Sequence, residues 1–371
     1  MSTTEPGVAS VRPFQVDVPQ ADLDGLQARL AATRFTDEPS GSDSAYGMSV
    51  ERLKRLVSYW GTRYDWRAWE AELNRRPQFL TEIDGQRIHF LHVRSANEDA
   101  LPLILTHGWP GSIFEYLRAI EPLSVDFHLV IPSLPGYGFS GPTTERGWDN
   151  VRIAKAWVEL MRRLGYERFG AVGNDAGSMI SPEVGRLAPE RVVGVHVTQL
   201  FSFPTGDPAE LEGLTEEEQA GMAVLKWFWE EKGGFNVIQS QQPQTLAHAL
   251  SDSPAGLLGW LDQLLGDELD DDFVLTNAAV YWFTGTAGSS LRLYFENARS
   301  GHRPSEPTTV PIALAMADGD FKSIRRFCDR DHENIVSWRQ LDPPARGHYT
   351  AHTATEVLTD DIRRFFTGLG G

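Results

Sequence analysis

The stretch Arg168-Phe-Gly-Ala-Val-Gly-Asn-Asp175-Ala-Gly-Ser178 decides the fold. Phe169–Val172 is a short apolar run that reads as a strand. The chain then turns at Gly173-Asn-Asp-Ala-Gly177 and continues into Met179-Ile-Ser-Pro-Glu-Val-Gly-Arg-Leu187, which reads as a helix. A small residue two positions before and two after a central side chain is the pattern of a strand–turn–helix elbow that displays a nucleophile. The central residue of such a turn holds a strained backbone, and a Cβ on either flanking glycine is expected to collide with the following helix. Here the centre is Asp175, not Ser or Cys. An aspartate attacks carbon to give an ester and has no proton to lose first. The alternative is a glycine-rich turn whose Asp caps the helix.

With 371 residues the chain can form one large domain or two modest ones. A formal charge of −17 disfavours nucleic acid and anionic membranes as partners, because both select basic patches. Eleven tryptophans and nineteen phenylalanines suit an apolar binding cavity as well as a core. The single Cys328 has no partner for an internal disulfide, which points to a reducing, cytoplasmic setting. Met1–Pro13 has neither a basic nor an apolar signal region, and no stretch is long and apolar enough for a membrane span.

The N-terminal segment, residues 1–76, is expected to be a helical arm. Leu23, Leu26, Leu30 and Ala31 recur at helical spacing, as do Leu53, Leu56, Val57 and Trp60, with a polar loop at Asp37–Ser44 between them. From Gln78 strands and helices alternate. Phe79–Ile83 and Ile88–Val93 flank the turn Asp84-Gly-Gln, and apolar strands follow at Leu101–Thr106, Phe127–Pro132, Phe169–Val172 and Val192–Val197. This alternation predicts an α/β fold with a mostly parallel central sheet. It spans residues 77–202 and resumes over 301–371, with strands at Val310–Met316 and Ile335–Trp338 and a last helix at Ala354–Phe366. Between them, residues 203–300 carry mostly helical signals, at Glu210–Trp229, Pro243–Leu250, Pro254–Leu265 and Asp271–Phe283. They form a candidate lid.

Four features converge on the elbow. Thr106-His-Gly-Trp-Pro-Gly-Ser112 follows a strand directly and can aim the Trp109 N–H at the nucleophile, pairing with the Ala176 N–H as an oxyanion hole. Trp109–Pro110 is a candidate cis bond. His107 is a candidate base, against a structural role in holding this loop by hydrogen bonds. Asp318 and Asp320 both follow a late strand, where a carboxylate faces the same sheet edge as the elbow. Either can instead cap a helix beginning near Lys322. His348, in Ala345-Arg-Gly-His-Tyr349, completes the order nucleophile, acid, histidine of the α/β-hydrolase fold. His352 reads by contrast as a solvated loop residue. Tyr294 in the helical insertion can present a phenol to protonate an alkoxide, or be a core tyrosine.

The sequence resembles the microsomal-type epoxide hydrolases over essentially its whole length. The matching stretches are Tyr64-Asp-Trp-Arg67, His107-Gly-Trp-Pro-Gly-Ser112, Pro132-Ser-Leu-Pro-Gly-Tyr-Gly-Phe-Ser140, Gly173-Asn-Asp-Ala-Gly177, Asp252-Ser-Pro-Ala-Gly256, Tyr281-Trp-Phe-Thr-Gly-Thr286 and Arg346-Gly-His348. By position, the resemblance implies Asp175 as nucleophile, His348 as the base that activates water and Asp320, ahead of Asp318, as its acid partner. Tyr294 falls on one of two lid tyrosines that hold the epoxide oxygen. His107, Pro110 and Phe235 are placed on the substrate pocket. Two departures stand out. Gly234-Phe-Asn-Val-Ile-Gln239 has Phe235 where the family usually has the second lid tyrosine, and Ala176 stands where tryptophan commonly follows the nucleophile. The first removes one hydrogen bond to the oxirane; the second is expected to widen the pocket.

The resemblance implies an epoxide and water as substrates, with no cofactor and no metal. Opening to a vicinal diol would pass through an ester on Asp175, on a bulky apolar or natural-product substrate. A homodimer is compatible with this reading, the sequence being silent on assembly. The rivals are altered chemistry on a polycyclic or glycosylated natural product, and a catalytically silent binding protein on the same fold.

Overall fold

The computed structural model describes residues 10–42, 45–301 and 306–369. The signal-region reading over Met1–Ala9 and the last two positions of the Asp37–Ser44 loop lie outside them.

The described residues form one nine-stranded sheet. Its strands are β1 (Arg12–Phe14), β2 (Gln78–Ile83), β3 (Gln86–Val93), β4 (Leu101–Thr106), β5 (Phe127–Pro132), β6 (Phe169–Gly173), β7 (Val192–Val197), β8 (Ile312–Met316) and β9 (Ile335–Gln340). Their order across the sheet is β1-β2-β3-β5-β4-β6-β7-β8-β9. The pairs from β1 to β5 are antiparallel and those from β5 through β9 are parallel. The inner parallel strands read as apolar runs because helices cover both faces, leaving no solvated side to alternate with; the edge strand β9 is only partly buried. β5, β6 and β8 are buried along their whole length. Parallel strands all end at one edge, so the loops after β4, β6, β7, β8 and β9 meet there.

The N-terminal segment is not wholly helical. Arg12–Phe14 pairs antiparallel with Gln78–Leu80 and extends the sheet by one edge strand. A three-residue strand containing Pro13 has no period to read, and the partner that orders it lies far along the chain. Helices follow at Gln20–Ala31, Val50–Thr62 and Trp66–Asn74, the last two capped by the Ser49 and Asp65 side chains. They bury Leu26, Leu30, Leu56, Val57, Trp60 and Leu73.

The 203–300 segment is a layer of helices. The expected helix from Glu210 begins later, at Glu216: Pro208–Leu211 forms a separate 3-10 turn, and Gly213 holds a positive φ of 63°. Thr215 and Glu218 then close a capping box that fixes the start. The helix Asp271–Phe283 is buried from Phe273 to Tyr281. Hydrogen bonds fasten this layer to the loops at the sheet edge. Ser112 Oγ donates to Asn277 Oδ1 at 2.7 Å, Tyr281 O–H donates to the Gly111 carbonyl at 2.7 Å and the Gly138 N–H donates to Thr286 Oγ1 at 3.1 Å. Among the described residues no helix is long and apolar enough to cross a membrane, and no cluster of side chains fits a metal ion.

Candidate active site

The elbow has the geometry its glycines anticipate. Asp175 holds φ 54° and ψ −120°, a region that side chains other than glycine rarely enter. The close contacts differ in one respect from expectation. A Cβ on Gly173 would lie 2.0 Å from the Gly177 carbonyl oxygen of the following helix, as anticipated. A Cβ on Gly177 would instead lie 1.9 Å from the Thr106 carbonyl oxygen of the neighbouring strand β4. The glycines therefore let the turn press against both helix and sheet. No side-chain cap joins Asp175 to its helix, so the simple capping alternative is not what the carboxyl does.

Both oxygens of Asp175 face identifiable partners. Trp109 N–H donates to Oδ1 at 3.0 Å. His348 Nε2 lies 3.5 Å from Oδ2. Behind it, His348 Nδ1 is 2.8 Å from Asp320 Oδ1. Asp175 and His348 keep 21% and 24% of their side-chain surface exposed, enough for access, while Asp320 keeps 8%. The Ala176 N–H opens the helix Ala176–Leu187, where first-turn N–H groups have no acceptor within the helix. The loop that carries Trp109 turns through a cis Trp109–Pro110 bond. A Cβ on Gly108 would fall 2.1 Å from Asp175 Oδ1, so the carboxylate lies directly against this loop.

Charge organises the triplet. Burial lowers the affinity of His348 for a proton, but the Asp320 charge and the contacts to Asp175 outweigh it and raise the imidazole well above its ordinary pKa. Burial likewise pushes the Asp320 carboxyl up. The His348 charge, with hydrogen bonds from His348, the Gln199 amide and the Phe321 N–H, holds it below the usual range.

Asp318 lies elsewhere. Its side chain is exposed, and its backbone forms a bridge to Arg346, with the Gly347 N–H donating to the Asp318 carbonyl at 2.8 Å. That bridge brings the acid loop and the histidine loop side by side. Neither aspartate caps a helix: the next helix is Arg325–Asp331 and has no side-chain cap. His352 is not a solvated loop residue. It is 4% exposed, lies in the short helix Thr350–Thr353, and places Nε2 2.7 Å from Asp270 Oδ2. The partner is 82 residues away, out of reach of any local reading.

His107 is fully buried. Its Nδ1 donates to the Gly108 carbonyl at 3.0 Å and its Nε2 accepts the Leu134 N–H at 3.2 Å, which sets the tautomer. Burial pushes its pKa down to about 4. It holds the loop and does not face Asp175 as a base. Phe235 stacks on Trp109, and Tyr294 meets both rings edge-on with centroids 5.9 Å away. Burial, then the Asp175 charge, raise the Tyr294 phenol well above its ordinary pKa, which keeps its O–H protonated.

Two residues escaped the sequence reading. Gln199, just past β7, accepts the Asp175 N–H at 2.9 Å through Oε1 and donates through Nε2 to Asn174 Oδ1 and Asp320. Glu115 is a carboxyl buried to 1% behind the Trp109 loop. The available signal was a polar Thr198-Gln199 pair just past a strand for the first, and a lone charge inside Ile113-Phe-Glu-Tyr-Leu117 for the second.

Comparison with known proteins identifies the family and the fold. The family described as "Epoxide hydrolase N terminus" matches residues 11–116, and that described as "alpha/beta hydrolase fold" matches residues 102–239. Epoxide hydrolase 1 of Sus scrofa is 31% identical, over 96% of this chain and 88% of its own length. A Stigmatella aurantiaca protein, provisionally named an epoxide hydrolase, is 38% identical over 97% of this chain and 85% of its own. The crystal structure of juvenile hormone epoxide hydrolase from the silkworm Bombyx mori superposes with a TM-score of 0.90 at 25% identity, covering 97% of this chain and 95% of that one.

Proposed function

The chain belongs to the epoxide hydrolase family of the α/β-hydrolase fold, and on that premise we propose that it opens an oxirane to a vicinal diol through an ester on Asp175. The observation that supports this reading is the division of labour between the two Asp175 oxygens. Oδ1 is held by the Trp109 N–H, and Oδ2 is left beside His348.

In the first step Oδ2 attacks an oxirane carbon and the carbon–oxygen bond breaks. The electron pair goes to the oxirane oxygen, which takes a proton from the Tyr294 phenol; protonated His348 restores that proton to the phenolate. Esterification removes the charge on Asp175 that helps keep His348 protonated. The Asp320 charge still acts on the ring, but losing the Asp175 contribution weakens its hold on the proton, so the first step favours the base form needed in the second. In the second step His348, oriented by Asp320, takes a proton from water as the water oxygen adds to Asp175 Cγ. The charge on Oδ1 rests on the N–H groups of Trp109 and Ala176, each worth about 10²–10³ in rate by comparison with studied oxyanion holes. Collapse expels the alkoxide, which takes the proton of the Asp175 carboxyl, leaving diol and carboxylate.

The solvent oxygen enters Asp175 before it enters product. One turnover in ¹⁸O water, followed by peptide mass spectrometry, should label Asp175; labelled diol with unlabelled Asp175 excludes the ester. The aromatic walls at Trp109 and Phe235 suit a bulky apolar substrate. Phe235 also favours a second reading, in which a phenol has been given up for a polycyclic substrate opened by other means. Turnover of styrene oxide separates the two.

A further inference from the structure

With Phe235 in the wall, the helical layer brings one phenol to the oxirane oxygen, Tyr294. The sheet side of the site holds another, Tyr137. It lies in the loop after β5, at the edge where the elbow opens. Glycines with positive φ flank it, Gly136 at 90° and Gly138 at 45°. Its N–H donates to the Leu134 carbonyl at 3.0 Å and its carbonyl accepts the Ser140 N–H at 3.1 Å. The turn is also tied to the helical layer, through Ser289 Oγ on the Gly136 carbonyl and the Gly138 N–H on Thr286 Oγ1. Its ring packs between His107 and Tyr281, with centroids 5.7 and 6.1 Å away. Those two residues fasten the ends of the Trp109 loop, at the Gly108 and Gly111 carbonyls. Tyr137 is thus braced against the loop that holds Asp175.

The packing accounts for the ring but not for the hydroxyl. Tyr137 is 1% exposed, and its Oη is buried with no hydrogen-bond partner among the described residues. A buried tyrosine usually finds a partner for its O–H, and leaving one unmade is costly. A position that needed only the ring would take phenylalanine without that cost. The electrical surroundings place the hydroxyl with the reacting groups. After burial, the Asp175 charge raises the Tyr137 phenol above its ordinary pKa. The Tyr294 phenol is raised by burial, then by Asp175 and by Tyr137. Tyr349 differs. Its O–H is also buried and unpartnered, but Glu115 acts on it ahead of Asp175, which places it on the Glu115 side of the Trp109 loop.

We propose that Tyr137 is a catalytic residue of ring opening: its O–H donates a hydrogen bond to the oxirane oxygen from the sheet side, supplying the second donor that Phe235 lacks. When Asp175 Oδ2 attacks, the carbon–oxygen bond breaks and the electron pair goes to that oxygen. Tyr294 gives up its proton, as described above. Tyr137 keeps its own proton and contributes the hydrogen bond alone, so that substrate satisfies the orphaned hydroxyl. This rests on the two-step reading of the reaction.

Tyr137→Phe deletes one oxygen atom and keeps the ring. With styrene oxide as probe, acid-quenched single turnovers report ester formation and ester loss separately. Ester formation should fall about 100-fold, the lower end of what a lost oxyanion donor costs. Ester loss should stay within about threefold of the wild type, because the oxirane oxygen is already protonated by then. The urea midpoint should hold or rise, since the group removed has no partner in the fold. Phe235→Tyr should gain more in Tyr137→Phe than in the wild type, because both phenols serve one oxygen. Ester formation within about threefold of the wild type overturns the role of Tyr137, as do equal slowing of both steps and equal gains from Phe235→Tyr in the two backgrounds. If the wild type itself traps no ester, the covalent reading fails and the proposal falls with it.

Discussion

Phe235 lies face to face with Trp109, ring centroids 5.6 Å apart and planes 14° from parallel. The ring thus occupies a wall position next to the Tyr294 phenol, with no polar atom to offer. Tyr294→Phe should then slow ester formation about 100-fold or more, the usual scale for losing a general acid. Phe235→Tyr adds a second phenol at the same wall and should raise ester formation about tenfold, one added hydrogen bond in a buried site. Stopped-flow tryptophan fluorescence on styrene oxide measures both, because Trp109 adjoins Asp175. Little change in Tyr294→Phe would mean that another group protonates the alkoxide.

Gln199 joins the Asp175 backbone to the Asp320 side chain. Gln199→Leu leaves the Asp175 N–H, Asn174 Oδ1 and Asp320 each short of a partner. Unfolding in urea should show a loss of about 2–4 kcal/mol, and turnover should fall more than tenfold as the elbow loosens. A stability loss with full activity would show that the elbow does not depend on this amide.

Glu115 gives a pH signature of its own. Its pKa rises from 4.5 to about 8 on folding, with burial as the largest cause, His348, Asn174 and Tyr116 opposing, and Asp175 reinforcing. Between those values the folded state binds more protons than the unfolded chain, so stability must fall as pH rises. Relative to Glu115→Gln, the wild type should lose stability between about pH 5 and pH 8, at up to about 1.4 kcal/mol per unit, and level off above. Urea midpoints across this range provide the measurement. Parallel curves for the two proteins would mean that the carboxyl is ionised in the fold.

Arg52 donates to both oxygens of Asp262, at 2.7 and 2.8 Å, and to the Gly266 carbonyl at 2.6 Å. Asp262 is 3% exposed on its side chain, so Arg52→Met strands a buried charge at a cost of about 3–5 kcal/mol. Hydrogen exchange should quicken first in the helix Pro254–Leu265. Adding Asp262→Leu should restore most of the stability, since the penalty belongs to the unpaired charge.

The parts of the site that could be read from sequence are those whose constraint is local. The elbow concentrates backbone strain, close packing and chemistry within Gly173–Gly177, and order along the chain was enough to bring His348 to the same edge. The choice between Asp318 and Asp320 was different. It depends on the backbone bridge of Asp318 to Arg346, which turns one side chain outward and lets the other meet His348, and spacing alone does not contain that information. Arg12–Phe14, His352, Gln199 and Glu115 were missed or misread for one reason. Each takes its role from a neighbour in space, respectively β2, Asp270, the Asp175–Asp320 pair and a small cavity shared with Asn174.

The helical layer over the site is pinned from two sides. From the N-terminal segment, Arg52 holds Asp262, Tyr59 O–H reaches Asp272 at 2.8 Å and Tyr64 pairs with Thr276 at 3.0 Å. From below, Ser112 and Gly111 hold Asn277 and Tyr281. A roof fastened on both sides does not swing open as one piece. The N-terminal segment, which gives no group to the chemistry, is thereby a mechanical brace for the layer above Asp175, and loosening it should be felt in that layer before it is felt in the sheet.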